Sequence, residues 1–436
     1  MSSLYSTSLK TDYLDPVLDQ QNRRLEFRLN PETAYYSNLR LLNFGTECSG
    51  GDTSIRGTAG LYSLIKNISL FDGAVEIDRL TEANRYLAFR NLNNTNHDNF
   101  SLTQHLAKAR VGYMLQSNGS VSRGSQAEHD LNVKQSPNGT GKNDCYLDLR
   151  KCLPILENIP YLDTDLMPNL RVIIEYDVDP KKFLVNNSRT LSTRNTPVLA
   201  VDEILDPSVR SNLKNKFKGV AYNCIEHDLM RIDDKQAVSA ALGAGLSTLQ
   251  SVRQRVNGFD NKICGRLLMV KALTNDAVNQ DGTTNKGFGT LISRAMVGEK
   301  INFQLNGQQL LAGEGINSPS KIMSHLHDTF GDVNVLTLCN RVSLGTDIDG
   351  TIHHFVGVPA DGTATTDSTD VGQMSYVGID MAGRRINQFQ IDYERNIVRD
   401  TTGAALFESA GLDIHLFMEV QKQLMVTGNS YVIKYV

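Results

Sequence analysis

The chain has 436 residues, which is too long for one compact core and predicts about two or three domains. Its formal net charge of −4 disfavours a nucleic-acid-binding role, because such proteins usually carry a basic excess gathered into a stripe. The chain begins without an apolar core of signal-peptide length and contains no stretch of about 18 apolar residues, so we expect a reducing compartment and no membrane span. The six cysteines form no CxxC pair, and we expect reduced thiols rather than disulfides or zinc ligands.

Alternation of apolar with polar residues, which is typical of strands with one buried face, dominates the chain. Two pairs of predicted strands are joined by Asp72-Gly73 and by Asn306-Gly307, dipeptides that favour two-residue hairpin turns because glycine accepts the positive φ required there. Polar stretches rich in Gly, Asn, Ser and Thr at residues 117–143 and 359–373 predict long loops. The strands are predicted at residues 25–29, 68–71, 74–77, 170–178, 301–305, 308–311, 389–394, 412–421 and 431–436.

Helix signals are few. Apolar residues at helical spacing predict one helix over residues 78–92. A second helix is predicted after Ser318, which is a suitable N-cap, with Pro319 at its first position and Gly331 where it ends. Residues 237–252 fit either a helix or a pair of strands, and the sequence leaves these two alternatives open.

The same succession of elements occurs twice in the chain. A strand, a glycine turn, a second strand and a helix are predicted around residue 70 and again around residue 305, and the strand at 170–178 resembles the one at 389–394. The offset of roughly 220–235 residues predicts two similar all-β domains. We therefore expect an N-terminal arm at 1–24, a first domain at 25–200, a linker at 201–220 and a second domain at 221–436.

Five segments are informative when they are taken together: SLIKNISLFDGAVEIDRL, NDCYLDLRKCLPIL, LRVIIEYDVDP, RRINQFQIDYERN and MEVQKQLMVTGNSYVIKYV. They resemble segments of the major capsid proteins of polinton-like viruses and virophages, which are relatives of the wider tectivirus and adenovirus lineage. The resemblance covers most of the chain and consists of spaced strand motifs without a catalytic signature.

The resemblance implies an all-β double jelly roll, that is, two tandem eight-stranded jelly rolls with a few short helices in the connecting loops. It also implies homotrimers with a pseudo-hexagonal outline, which assemble with neighbouring capsomers, penton proteins and minor capsid proteins into the icosahedral shell of a virion inside the host cell. No active site, cofactor, sequence-specific contact with nucleic acid or membrane span is expected. The arm at residues 1–24 would lie at the inner face of the shell or reach a neighbouring capsomer.

One string looks catalytic, the run DIDGT at residues 347–351. It matches the core of haloacid-dehalogenase-type phosphatases, in which the first Asp is a nucleophile and the second a general acid at the end of a buried strand. Residues 342–346 do not predict such a strand, so we expect a turn and no catalytic residue. Asp347 and Asp349 are weak candidates for metal binding, since Val358 stands where an EF-hand loop needs a glutamate.

A second functional class fits the same all-β pattern. The chain could be a carbohydrate- or receptor-binding module, such as a viral minor capsid or attachment protein. This alternative predicts a shallow sugar site rich in aromatic or Asp and Asn side chains, on a monomer or a slender trimer. The oligomeric state and glycan binding distinguish it from a capsid protein.

Overall fold

The computed structural model describes nine main stretches of the chain and several short strand segments between them. The main stretches are residues 9–20, 23–44, 62–87 without 63, 146–177, 196–243, 246–273, 299–331, 376–398 and 411–436. The short segments are residues 47–48, 114–115, 121–122, 191–192, 345–346 and 352–353.

Antiparallel strands make up most of the described chain, as the alternating pattern predicted. The strands of the first half are β1 (Leu9–Leu14), β2 (Leu18–Gln20), β3 (Arg24–Arg28), β4 (Ala34–Tyr36), β5 (Arg40–Leu42), β6 (Glu47–Cys48), β7 (Ile65–Asp72), β8 (Val75–Thr81), β9 (Met114–Leu115), β10 (Val121–Ser122), β11 (Tyr146–Asp148), β12 (Tyr161–Asp163), β13 (Leu170–Tyr176), β14 (Leu191–Ser192) and β15 (Val198–Ile204).

The second half contains longer strands, and helices are short throughout. The strands are β16 (Gly219–Ile232), β17 (Ser247–Val256), β18 (Lys262–Leu273), β19 (Lys300–Leu305), β20 (Gln308–Gln309), β21 (Gly345–Thr346), β22 (Ile352–His353), β23 (Tyr376–Ile386), β24 (Phe389–Val398), β25 (Leu412–Thr427) and β26 (Ser430–Tyr435). The helices are α1 (Ile155–Asn158), α2 (Pro207–Lys216), α3 (Gln236–Ala241) and α4 (Pro319–Phe330), with a 3₁₀ turn at Leu149–Lys151 and helical residues at 83–87.

The second half has the strand order of a jelly roll. One sheet has the order β16-β25-β18-β23 and the other has the order β17-β24-β19-β20. When the two-residue strands β21 and β22, which form a separate pair, are left out of the count along the chain, these are the first, eighth, third and sixth strands in one sheet and the second, seventh, fourth and fifth in the other. This arrangement produces two interlocked Greek keys, which define a jelly roll.

The first half repeats this order with two interruptions. One sheet is β3-β13-β7-β8, with β2 added beside β3. In the other, β1 pairs with β15, and β15 pairs with β4 and β5, which form one broken strand. The neighbouring strand of this sheet is also broken into two parts, because β11 pairs with β5 and β12 pairs with β4. The 3₁₀ turn and α1 separate these two parts. The expected fold of two tandem jelly rolls is therefore confirmed.

The ends of the strands refine the expected division of the chain. Residues 9–14, which were expected to belong to an N-terminal arm, form β1 and pair with β15 along its whole length. The expected linker at 201–220 overlaps the end of β15 and the start of β16, and α2 lies between these two strands. Residues 1–8 lie outside the described residues.

Buried apolar side chains form one continuous cluster that includes residues of both halves. Leu25 and Phe27 on β3 are fully buried, as their alternation predicted, and Val172 and Ile174 on β13 are buried opposite them. In the second half, Phe303 on β19 stacks on Phe389 with ring centroids 6.1 Å apart. Alternate residues of these strands therefore belong to the core, which is how each sheet of a sandwich contributes to it.

Several charged side chains are buried in the second half, among them Lys271, Glu299 and Arg395. Lys271 Nζ donates a hydrogen bond to Glu299 Oε2 at 2.5 Å, and both side chains are buried. Arg395 is fully buried, and its Nε donates to Gln250 Oε1 at 2.7 Å. A buried charge is tolerated only when such partners replace its lost hydration, so these pairs fix how the strands of the second half meet.

Helix α4 begins and ends where the sequence predicted. Ser318 is the N-cap, and its Oγ accepts a hydrogen bond from the backbone N–H of Lys321 at 3.4 Å. The helix ends before Gly331, which has a φ of 77°. Leu326 and Thr329 of α4 pack against Gly378 on β23, where a Cβ atom would lie only 3.1–3.2 Å from their side chains.

For the helix predicted over residues 78–92, the predicted start was wrong. Residues up to Thr81 belong to β8, and only residues 83–87 of the described part are helical. Pairing with β7 outweighs the helical spacing of the apolar residues, since Leu80 lies opposite Ile68 in the ladder.

The two hairpin turns and the ambiguous segment are also placed by the structure. Asp72 pairs with Val75, so the turn residues of the first hairpin are Gly73 and Ala74 rather than Asp72-Gly73. Asn306 and Gly307 form the predicted turn, with φ angles of 51° and 81°. Residues 237–252 divide between α3 and β17. The predicted loops at 117–143 and 359–373 lie outside the described residues, apart from the segment at 121–122.

Substitution of two glycines before α4 tests how the segment between β20 and α4 packs against β19. Gly313 and Gly315 have φ angles of 67° and 69°, but a Cβ atom at Gly313 would lie in open space, whereas one at Gly315 would clash with the carbonyl oxygen of Ile301. We expect Gly313→Ala to lower the free energy of unfolding by about 1 kcal/mol. Gly315→Ala should lower it by about 3 kcal/mol or more, because the clash involves the backbone. Urea unfolding of both variants measures the difference, and equal losses would contradict the packing described.

Candidate functional site

The residues singled out in the sequence do not form a site in the described chain. Asp347 and Asp349 lie outside the described residues. Among the residues that the structure describes, no group of three or more His, Cys, Asp or Glu side chains could hold a metal ion. No described helix is long and apolar enough to cross a membrane.

Several buried polar contacts lie where the two halves meet, and we call this region the junction. There, β8 and residues 82–87 of the first half pack against β16 and β25 of the second half. The hydroxyl of Tyr222 on β16 donates a 2.6 Å hydrogen bond to the carbonyl oxygen of Ile77 on β8. The hydroxyl of Tyr431 on β26 donates a 2.8 Å hydrogen bond to Asp72 Oδ2, at the end of β7. Burial raises the pKa of both tyrosines, so both remain protonated donors.

Asp78 lies fully buried at the centre of the junction. Its Oδ2 accepts the backbone N–H of Ile155, the first residue of α1, at 2.9 Å, and its Oδ1 accepts the backbone N–H of Arg79 at 3.0 Å. Burial raises the pKa of Asp78 to about 7, although the N–H of Ile155 and the charge of Lys422 oppose this change. This carboxyl therefore titrates near neutral pH.

A row of charged and aromatic residues from the second half faces Asp78. Glu226 Oε1 accepts a 2.6 Å hydrogen bond from the hydroxyl of Tyr435, and the ammonium groups of Lys422 and Lys262 lie 3.6 and 3.8 Å from its carboxylate. The same two ammonium groups lie 4.8 and 4.5 Å from the centre of the Tyr435 ring. Burial alone would raise the pKa of Glu226, but the Tyr435 hydroxyl and the two lysines lower it. The C-terminal strand β26 is thus held to β16 by charge-assisted contacts.

Aromatic rings cover the other side of the junction. His227 Nε2 and His415 Nδ1 lie 3.0 Å apart, which is a hydrogen-bond distance. The His227 ring lies 5.1 Å from the ring of Phe417, and Tyr86 of the first half contacts Phe417 at 5.5 Å. Burial lowers the pKa of His227, because its charged form would lose hydration there.

Arg266 on β18 has partners on β25 and on α4. Its guanidinium donates two hydrogen bonds to the carboxylate of Glu419, at 2.8 and 2.6 Å, and lies 5.4 Å from the centre of the Phe330 ring. Such a bidentate pair fixes the orientation of both side chains. Glu419 on β25 is therefore joined to Phe330 on α4 through Arg266.

The contacts of the junction hold the two halves of the chain together. The carboxylates are engaged by N–H, O–H or ammonium groups, and burial raises the pKa of the thiols Cys224 and Cys264, the latter to about 12, so neither thiol is activated. In the sequence, the closing segment MEVQKQLMVTGNSYVIKYV is recognisable only as a strand motif. The junction was not predicted from the sequence, because Asp78, Glu226 and Lys422 are far apart in the chain and share no motif.

Removing the Tyr222 hydroxyl isolates one contact between the halves. We expect Tyr222→Phe to lower the free energy of unfolding by about 1–2 kcal/mol, because the buried carbonyl of Ile77 loses its donor. Tyr13→Phe is the matched control, since Tyr13 is 65% exposed and its loss of a hydroxyl should have no effect. Urea unfolding compares the two variants. Equal stability of Tyr222→Phe and the control would contradict the role of this hydrogen bond.

Asp78 and His227 should give opposite pH dependences. Folding raises the pKa of Asp78 from 3.8 to about 7, so its contribution to stability is complete below pH 3.8 and is lost as the pH rises towards 7. Folding lowers the pKa of His227 from 6.5, so its contribution is complete above pH 6.5 and is lost as the pH falls. Urea unfolding between about pH 4 and pH 8 should show that Asp78→Asn removes the first trend and His227→Gln the second. Parallel profiles for both variants would exclude this assignment.

The chain is similar to known proteins in structure alone. No family model and no curated protein matches the sequence. The mavirus major capsid protein is similar in structure with a TM-score of 0.56 and 10% identity, over 98% of this chain and 90% of that one. A chain in the cryo-EM structure of the Sputnik virophage has a TM-score of 0.54 and 9% identity, over 98% and 88% of the two chains. The Faustovirus major capsid protein has a TM-score of 0.53 and 8% identity, over 96% and 90%.

These matches extend over nearly the whole chain and include both jelly rolls. The identities of 8–10% are too low to carry residue roles from one protein to the other. The resemblance found in the strand motifs is confirmed at the level of the fold. The chain therefore has the double jelly-roll fold of the mavirus and Faustovirus major capsid proteins.

Proposed function

We propose that this chain is a major capsid protein of a virion. In this proposal it forms homotrimers, and the trimers assemble with neighbouring capsomers, penton proteins and minor capsid proteins into an icosahedral shell. The observation that carries the proposal is that one chain builds two jelly rolls with the same strand order and fastens them side by side at a buried junction. The similar solved structures, which include major capsid proteins, support the same function.

A physical argument connects this architecture to a shell. A chain with two similar rolls brings two nearly equivalent subunits to an assembly, so three chains supply six rolls around a threefold axis. The trimer then has nearly hexagonal packing, which tiles a curved surface with few kinds of contact. The two halves can still differ in sequence, and the interrupted strands of the first half show that they do.

The function requires a rigid building block rather than a reactive site. The buried pair Lys271–Glu299, the pair of the exposed Arg266 with the buried Glu419, and the hydroxyl of Tyr222 each join separate segments of the chain. Breaking such a pair leaves a buried group without its partner, which makes small displacements of one element against another unfavourable. We therefore propose a structural protein without catalytic activity.

Light scattering coupled to size-exclusion chromatography tests this function. We expect the purified chain to elute with three times its mass of 48.3 kDa. Negative-stain images should show particles with a roughly hexagonal outline, or closed shells. A chain that stays monomeric up to about millimolar concentration, where even weak association is detectable, would contradict the trimer. Binding to a glycan array by such a monomer would instead support the carbohydrate-binding alternative.

A further inference from the structure

Two histidine rings lie side by side where the second half meets residues 82–87 of the first half. His227 on β16 stacks on His415 on β25, with ring centroids 5.2 Å apart. His415 is buried and His227 is partly buried. His415 and Phe417 are two residues apart on β25 and therefore share one face of the sheet. Tyr86 of the first half contacts this face at Phe417, so the histidine pair lies beside the boundary between the halves.

One hydrogen joins the two rings. His227 Nε2 and His415 Nδ1 lie 3.0 Å apart. A hydrogen bond at this distance needs a proton on one of these nitrogens and a lone pair on the other. When both imidazoles are charged, every ring nitrogen carries a proton, and neither of the facing nitrogens can accept. The contact is therefore compatible with a neutral pair or with one added proton, and it is lost when the second proton binds.

The surroundings of the pair oppose the added charge. Burial lowers the pKa of His227, because the charged ring would lose its hydration. Arg85 and Arg79 of the first half act in the same direction, whereas Glu82 and Asp228 act against it. Glu82 is already paired with Arg85 at 3.3 Å. Two protons on the pair would therefore place two positive charges beside two arginines.

The charged side chains on the strands next to the pair have partners of their own. These pairs are Arg266–Glu419, Arg231–Asp413 and Lys271–Glu299. Each carboxylate already has a cation within 3.4 Å, so none of the three adds much compensation for a charged histidine. The pair is thus stable in its neutral form and unstable in its doubly charged form.

We propose that the His227–His415 pair is an acid-sensitive latch between the two halves of the chain. At neutral pH the shared hydrogen holds the two rings together beside residues 82–87. In acid, the uptake of two protons breaks this contact, and repulsion from Arg79 and Arg85 separates residues 82–87 from β16 and β25. Histidine is the side chain whose ordinary pKa, about 6.5, gives such a response near physiological pH. The latch is a property of the single chain and does not depend on the proposed function.

Hydrogen–deuterium exchange of the full chain, resolved by mass spectrometry, tests this latch. The amides of residues 83–87 report separation of the halves, and those of the β17–β24 ladder report unfolding of the second half itself. As long as the closed pair stays neutral, opening takes up two protons. The opening constant of residues 83–87 should therefore rise by about 100-fold for each pH unit below about 6.5, relative to the double variant His227→Gln/His415→Gln. A variant that retains one histidine should show a relative rise of about tenfold.

His327→Gln is the matched control, because the side chain of His327 is 60% exposed on α4. It should leave the pH dependence unchanged. Only the pH dependence is compared, since the double variant also loses the contact at neutral pH. An equal pH dependence of the wild-type chain and the double variant overturns the latch. Exchange of the β17–β24 ladder in parallel with residues 83–87 also overturns it, because acid then unfolds the second half rather than separating the halves.

Discussion

The open edge of β16 is the constraint on which the arrangement of the two halves depends. A strand at the end of a sheet presents unpaired backbone groups, which are stable in a folded protein only when they are covered or solvated. Here β8 and residues 82–87 of the first half cover this edge, and Tyr222 donates its hydroxyl to the backbone of Ile77. The apolar core then continues from one jelly roll into the other.

Buried polar groups make this arrangement specific. Apolar packing alone tolerates small shifts between two sheets, whereas the hydroxyls of Tyr222 and Tyr431 reach Ile77 and Asp72 only in one relative position of the halves. Burying these groups costs hydration, and hydrogen bonds and opposite charges offset much of that cost. A shell built from many copies needs this property, because a small error in one building block is multiplied around the shell.

The two halves show how one topology accommodates different local sequences. The second half has long, continuous strands. In the first half, two of the strands are each divided into two short ones, and a 3₁₀ turn and α1 lie between β11 and β12. The insertion has a role, since the first residue of α1 donates its N–H to Asp78 at the junction. The edge strand β1 keeps its place in the sheet but leaves Tyr13 exposed.

The sequence by itself determined the all-β class, most strand positions, the tandem repeat and both ends of α4. These depend on local signals, namely alternation within a strand, glycine in a turn and capping by Ser318. Only the tertiary structure decided that residues 9–14 join a sheet, that β8 continues to Thr81, and that Asp78, Glu226 and Lys422 meet. The physical reason is that strand pairing and buried polar contacts join residues far apart in the chain, so no local pattern records their partners.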